Sequence, residues 1–130
     1  YGQGLDMASP FGMALVAATA AHGAMPVPYL IQGAKTELSE DPGAMPPEAV
    51  GQLQQMMAAV TSPGGTANGM SAGGDIRGKT GEAEINGGSH SWFAGYRADD
   101  DIAFATLVVL GGGSEAAVAI TDRMLHNLNP

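Results

Sequence analysis

The segment GGDIRGKTGEAE, from Gly73 to Glu84, admits two structural interpretations that exclude each other. Gly73, Gly78, Lys79 and Thr80 match G-x-x-x-x-G-K-[ST], the pattern of a loop that binds nucleotide phosphates. Such a loop follows a buried strand and leads into a helix whose first N–H groups hold the phosphates. The alternative is an extended strand, in which Lys79 lies on one face and Thr80 on the other.

The flanking residues favour the strand. The residues before this segment form a Gly/Ser/Asn-rich loop, and Gly81 would weaken any helix that began here. The two glutamates that follow would repel a triphosphate, and Asn86-Gly87 is typical of a tight hairpin turn. We therefore predict a strand in which Gly78, Thr80 and Glu82 share one face.

The composition limits the possible functions. The 130 residues amount to one domain at most, or a piece of one, and 45% hydrophobic against 14% charged residues indicates a globular chain. The net charge of −8 argues against nucleic acid as a partner, because phosphate binding needs clustered Lys and Arg. The chain has no cysteine, and its three histidines lack ligand spacing, so we expect no metal site and no cofactor.

Two helices are predicted upstream of the strand. ASPFGMALVAATAAHG has Ser9 as its cap and Gly23 at its end, and it is apolar nearly all round, so we expect it to be covered on several sides. PPEAVGQLQQMMAAV repeats apolar residues at helical spacing, and we interpret Met56 and Met57 as core filling. Between the helices, AMPVPYLIQG predicts an extended edge strand, because its prolines suit an edge.

Downstream, the pattern changes to three strands and a closing helix. DIRGKTGEAEI, SHSWFAGYR and IAFATLVVL are separated by turn residues, which predicts an antiparallel meander. The last strand is apolar on both faces and should be central in its sheet, with layers on each side. GGGSEAAVAITDRMLHNL predicts an amphipathic helix capped by Ser114. The fold class is therefore α+β, with three strands and a C-terminal helix in this chain.

The order of these features resembles class B penicillin-binding proteins. Lys79-Thr80-Gly81 followed by AE, and then SHSWFAGY after a hairpin, are similar to the K-T-G strand of that family and its neighbour. Upstream, GQG and a Ser-Pro-capped helix ending in His-Gly are similar to the family's G-Q-G…T-P-x-Q-x-A…A-N-G-G segment, although Gly12 replaces the Gln. PYLI, GGTANG and the closing helix follow in the family's order, so the resemblance covers essentially all 130 residues.

The resemblance implies a mainly antiparallel sheet sandwiched between helices, and a D,D-transpeptidase that crosslinks peptidoglycan through a serine acyl-enzyme. In that case Lys79 presents a positive charge to the substrate carboxylate and to the proton-transfer network around the nucleophile. Thr80 offers its hydroxyl to the same carboxylate, and Gly81 also belongs to the substrate-binding strand. The backbone N–H of Glu82 is one of two oxyanion donors. Trp92 and its strand neighbours Phe93 and Gly95 are packing and pairing residues.

The resemblance also implies partners and a location. The partners are stem peptides ending in D-Ala-D-Ala, β-lactams, the missing N-terminal part of the same protein and a membrane glycosyltransferase of the cell-wall machinery. The location is the extracytoplasmic face of a bacterial cell membrane, with the anchor expected upstream. The biological roles would be cell wall biogenesis and cell shape, and the protein would be an antibiotic target.

Two departures from the family pattern qualify these expectations. No serine is followed by lysine three residues later and no Ser-x-Asn occurs, so the nucleophile is not in this chain. We expect residues 1–130 to be the C-terminal portion of the domain, inactive alone. Glu82 stands where the family usually has Thr or Ser. Its carboxylate would repel the substrate if it pointed into the cleft. Either it turns away, it pairs with a cation such as Arg77 or one outside this chain, or the site is altered.

Two alternatives remain open. A serine β-lactamase or β-lactam sensor shares the fold and K-T-G. The upstream G-Q-G and the Ser-Pro-capped helix favour the transpeptidase, and turnover of the acyl adduct would decide between them. A non-catalytic scaffold that retains the fold is the other, and Glu82 is the residue that favours it. Ser89-His90-Ser91 could suggest a Ser/His/Asp triad, but adjacent strand residues point to opposite faces, so we do not expect His90 to be catalytic.

We expect the isolated 130-residue chain to be poorly stable, because its apolar first helix and its sheet would lack covering layers. Thermal unfolding followed by circular dichroism should show no cooperative transition. A sharp transition of the isolated chain would contradict this expectation.

Overall fold

The computed structural model describes residues 3–128, which form three helices and three strands. In chain order these are α1 (Pro10–His22), α2 (Pro47–Thr61), β1 (Ile76–Ile85), β2 (Gly88–Arg97), β3 (Ile102–Val108) and α3 (Glu115–Leu128). The α+β class is confirmed. Gly2 of the GQG motif lies outside the described residues. Within residues 3–128, no helix combines the length and apolar character that crossing a bilayer requires.

The three strands form the predicted antiparallel meander, in the order β1-β2-β3. Ile85 pairs with Gly88 across a two-residue turn, where Gly87 takes a φ of 93° that other residues rarely adopt. Lys79 and Thr80 both lie within β1, so the helix that a phosphate loop requires at this point is absent. The nucleotide interpretation is therefore excluded by the fold.

Side-chain alternation gives the sheet two faces. The Phe93 face carries Thr80, Phe93 and Phe104, as the strand register dictates, and α3 packs against it. The rings of Phe93 and Phe104 lie 5.4 Å apart, and they share a buried cluster with Ala117 and Leu125 of α3. This cluster is the larger of the two cores among the described residues.

The Lys79 face carries Lys79, Trp92 and Tyr96, and α1 packs against it. Tyr96 is buried with Ala20 of α1 and Met57 of α2. The predicted ends of α1 are confirmed, since Ser9 Oγ accepts the Gly12 N–H at 3.0 Å and Gly23 ends the helix at a φ of 80°. The described residues cover α1 only partly: Phe11 and Val16 are each 57% exposed.

The edge strand predicted for AMPVPYLIQG is wrong. The segment between α1 and α2 contains a single bridge, Ala24 to Ala44, and is otherwise irregular. Pro26 and Pro28 have no N–H to donate to a ladder, so the chain cannot extend the pairing beyond that bridge. The interpretation of Met56 as core filling is also wrong: it is 62% exposed, whereas Met57 is 8% exposed.

The central position predicted for the last strand is not found among residues 3–128, where β2 is central and β3 is an outer strand. The layers expected on each side of β3 are present, because α1 and α3 both pack against it. An apolar pattern on both faces of a strand indicates that packed layers lie above and below it. The pattern does not indicate whether a further strand pairs with its edge.

Gly78 and Gly95 face each other on β1 and β2, where they leave room for the aromatic core. A Cβ at Gly78 would lie 2.7 Å from the ring of Phe93, which is fully buried. We predict that Gly78→Ala lowers the free energy of unfolding of the whole protein by about 1–3 kcal/mol, because the ring must shift within a packed core. Urea unfolding of the wild-type and variant whole proteins measures this difference in free energy.

The matched control is Gly51→Ala on α2, where an added Cβ would meet nothing within 4 Å. This helical substitution should raise the unfolding free energy by about 0.5–1 kcal/mol. If Gly78→Ala were tolerated as well as Gly51→Ala, the glycine pair would not be needed for the aromatic packing.

Candidate functional site

The K-T-G residues lie on the outer edge of the sheet, where the backbone of β1 is exposed to partners other than β2. Thr61 Oγ1 donates to the Ile76 carbonyl at 2.7 Å, and Lys79 Nζ donates to the Thr80 carbonyl at 2.6 Å. Both carbonyls therefore point away from β2. Because alternate residues of an antiparallel strand direct their N–H and C=O to the same side, the Glu82 N–H also points away from β2.

Lys79 lies at the side of a groove on the Lys79 face. The groove has a volume of about 610 Å³, and Gly81 and Trp92 line it from the sheet while Met7 and Met13 line it from the N-terminal part. Gly81 has no side chain to obstruct it, and a Cβ there would lie 3.2 Å from the Cβ of Trp92. An extended peptide can therefore approach this edge closely, with a lysine charge beside it.

Thr80 points to the other face and is 6% exposed. Its Oγ1 lies 2.7 Å from Oγ1 of Thr66, in the glycine-rich connection between α2 and β1. A hydroxyl has one donor and two acceptor positions, so this contact occupies only part of its bonding capacity. Thr66 was not predicted as a site residue, and its only sequence signal was its place within GGTANG.

Glu82 is exposed on the same face as Thr80, and its carboxylate has a specific partner. Ser89 Oγ donates to Glu82 Oε1 at 2.6 Å. Pairing with Arg77 does not occur, because Arg77 lies on the Lys79 face and binds Asp75 through two hydrogen bonds of 2.9 and 2.6 Å. This contact lowers the pKa of Asp75 and raises that of Arg77.

The connection that carries Thr66 is anchored to α3 by Asp122. The carboxylate accepts the N–H groups of Ser71 at 2.7 Å and Ala72 at 2.8 Å, and also the Ser71 hydroxyl at 3.0 Å. Burial raises the pKa of Asp122, but these donors and the nearby His126 outweigh it, so the net shift is downward. Sequence reasoning did not identify this anchor, because the donors and the acceptor lie about 50 residues apart.

The residues of Ser89-His90-Ser91 alternate between the faces, as predicted, and the central histidine has a structural role. His90 Nδ1 accepts the Leu110 N–H at 3.0 Å, which fixes the chain where β3 ends. Ser91 Oγ accepts the Ala117 N–H at 3.0 Å in the first turn of α3. Ser114 stands at the predicted cap position, since it directly precedes α3 and its carbonyl accepts the Val118 N–H at 3.1 Å, while the hydroxyl that accepts the Ala117 N–H comes from β2.

A second cavity of about 440 Å³ lies at the far end of the Lys79 face, between the end of α1 and the β2–β3 turn. His22 Nε2 and Asp101 Oδ1, both from its lining, are 2.9 Å apart. Burial raises the pKa of Tyr96, and the nearby Arg77 guanidinium offsets part of this effect. Within residues 3–128, no group of three or more metal-binding side chains is present.

Comparison with known proteins identifies relatives of the whole chain. The family model described as "Penicillin binding protein transpeptidase domain" matches residues 1–128. The solved structure of Pseudomonas aeruginosa PBP2 in complex with WCK 5153 matches with a TM-score of 0.70 and 27% identity. The match covers 99% of this chain and 31% of that chain, so this chain spans about a third of its relative. No curated protein sequence matches.

We predict that Asp122→Asn in the complete protein lowers its free energy of unfolding at neutral pH by about 1 kcal/mol, because hydrogen bonds to a charged acceptor are stronger than those to an amide. The pKa of Asp122 is depressed on folding, so its stabilisation is complete above the unfolded pKa of about 3.9 and is lost as the pH falls through the lower folded pKa. The stability difference between the two proteins should therefore shrink below about pH 4.

Urea unfolding of both complete proteins between about pH 7 and about pH 3 measures this difference. The control is Glu40→Gln in the exposed loop before α2, which should change stability little at any pH. A stability difference for Asp122→Asn that stayed constant down to the acid limit would contradict the role of the charged carboxylate.

Proposed function

Since this chain belongs to the penicillin-binding protein transpeptidase domain family, we propose that it forms the K-T-G wall of a serine D,D-transpeptidase site. The observation that carries the proposal is the geometry of one strand edge. The Glu82 N–H points away from β2 beside the Thr80 carbonyl, to which Lys79 Nζ donates at 2.6 Å. This edge therefore combines an oxyanion donor with a fixed positive charge.

The proposed reaction proceeds in two steps. A serine of an S-x-x-K motif, outside these 130 residues, attacks the penultimate D-Ala carbonyl of a stem peptide, and the terminal D-Ala leaves with a proton on its amine. An amine of a neighbouring strand then attacks the ester, which forms the crosslink and returns the proton to the serine. Dividing one amide exchange in this way replaces one high barrier with two lower ones.

Each K-T-G residue has a separate role in this proposal. The stem peptide adds to the outer edge of β1 through main-chain hydrogen bonds. Lys79 attracts the substrate carboxylate and supports proton transfer at the nucleophile, and Gly81 leaves room for the peptide. The Glu82 N–H stabilises the oxyanion, and Thr80 donates its hydroxyl to the substrate carboxylate while Thr66 holds it in place. Removing one oxyanion donor typically costs about 10²–10³ in rate.

The remaining parts of the proposal concern the whole protein. Residues 1–130 form the C-terminal portion of the transpeptidase domain and are inactive alone, because the nucleophile lies elsewhere in the protein. The partners are D-Ala-D-Ala stem peptides, β-lactams and a membrane glycosyltransferase of the cell-wall machinery. The protein acts at the extracytoplasmic face of a bacterial cell membrane, in cell wall biogenesis and cell shape. As a penicillin-binding enzyme it is an antibiotic target.

We predict that Lys79→Ala in the complete protein lowers the rate of acylation by penicillin G at least about 100-fold, because the charge beside the reacting centre is lost. Denaturing mass spectrometry over several hours measures the adduct. Lys35→Ala is the matched control, because the chain contains two lysines and Lys35 lies in an exposed loop. Equal rates of acylation for the two variants would show that Lys79 has no role in the site.

The lifetime of the adduct on the wild-type protein separates the alternatives. A persistent adduct on the S-x-x-K serine supports the transpeptidase or a β-lactam sensor, and transfer of a D-Ala-D-Ala peptide to an added amine singles out the transpeptidase. An adduct that disappears within the observation period indicates a β-lactamase. A complete protein that never acylates indicates a scaffold that retains only the fold.

A further inference from the structure

Glu82 brings a negative charge to the strand that is proposed to bind a substrate carboxylate, and among residues 3–128 the Ser89 hydroxyl donates to this charge. We infer that Ser89 is a positioning residue, which holds the Glu82 carboxylate away from the substrate carboxylate. The inference rests on the proposed function and deepens it, because it identifies the pair of residues that allows a carboxylate-terminated substrate to bind beside an acidic side chain.

The direction of the hydrogen bond follows from the strand register. Glu82 lies opposite Ser91, whereas Ser89 lies opposite Glu84, two residue pairs closer to the hairpin turn. The Glu82 side chain therefore reaches diagonally across the sheet towards the turn. Thr80, which is proposed to meet the substrate carboxylate, lies in the other direction along β1, at a Cα distance of about 6.7 Å.

The environment makes this orientation dependent on the hydroxyl. Ser89 is 8% exposed, and its Oγ donates at 2.6 Å, a length typical of a hydrogen bond to a charged oxygen. Glu84 lies on the same face as Glu82, in the direction to which the Glu82 side chain leans, so the two carboxylates repel each other. Without the Ser89 donor, this repulsion favours rotation of Glu82 towards Thr80.

A released Glu82 carboxylate would act against the substrate in two ways. It would repel the carboxylate that approaches Thr80. It would also attract Lys79, whose Nζ already lies at the strand edge on the Thr80 carbonyl. Both effects weaken recognition of the substrate while the Glu82 N–H remains part of the backbone. Loss of the Ser89 hydroxyl should therefore reduce acylation only when residue 82 carries a charge.

The test compares Ser89→Ala, Glu82→Gln and the double variant in the complete protein. The readout is the second-order rate constant for acylation by penicillin G, which carries a carboxylate. Ser89→Ala should lower this constant on the order of tenfold, the effect of two charges about 7 Å apart in a partly screened medium. Glu82→Gln alone should raise it by about two- to threefold, because the charge is already turned away. The double variant should match Glu82→Gln.

Three controls make the result decisive. Ser39→Ala, in the exposed loop before α2, is the matched serine substitution and should acylate like the wild type. Thermal melting establishes that each variant is folded. Raising the salt concentration should reduce the defect of Ser89→Ala, because screening weakens charge repulsion, whereas a packing defect would not respond in this way.

Specific results would overturn the inference. Normal acylation of Ser89→Ala would show that Glu82 does not need the hydroxyl. A double variant as slow as Ser89→Ala would show a structural role for Ser89 that is independent of the charge. If Ser89→Ala fails to fold, a gain of about tenfold from Glu82→Gln alone would show that the wild-type carboxylate is not turned away. A wild-type protein that never acylates overturns the proposed function itself.

Discussion

The pairing of Ile85 with Gly88 across a two-residue turn is the constraint on which the rest of the structure depends. It sets the register of β1 on β2, and a slip of one residue would exchange the two faces of every strand residue. Lys79 would then point into the aromatic core and Thr80 into the groove. The same register determines which N–H groups of β1 point away from the sheet, so the site and the core depend on one turn.

The core and the anchors preserve this register from both sides of the strand. Gly78 opposite Gly95 admits the Phe93 ring, and any other register would bring side chains into that space. Thr61 holds the beginning of β1 through the Ile76 carbonyl. Asp122 holds the connection that carries Thr66. Two separate helices, α2 through Thr61 and α3 through Asp122, thus bind the segment that leads into the K-T-G edge.

The elements that could be predicted from the sequence are those encoded by short-range signals. Helix caps, apolar spacing and turn dipeptides identified α1, α2 and the three strands, because each signal acts within a few residues. The errors arose where contacts with residues distant in sequence determine the exposure or the hydrogen-bond partner of a side chain. The exposure of Met56 depends on what α2 packs against, and the two hydroxyls at Thr66 and Ser89 have partners on β1. A sequence pattern contains no information about such contacts until the register is known.

The K-T-G-E sequence illustrates how a site separates the roles of backbone and side chain. An oxyanion donor is a main-chain N–H, so its direction is set by strand pairing and is the same whichever side chain follows it. The side chain at residue 82 can therefore change without loss of the donor, provided that its charge is directed elsewhere. In this chain the neighbouring strand supplies that control through Ser89, two residues beyond Gly87. An acidic residue beside the edge that is proposed to bind a carboxylate is then compatible with the proposed chemistry, because the hairpin that orients the N–H donor also orients the charge.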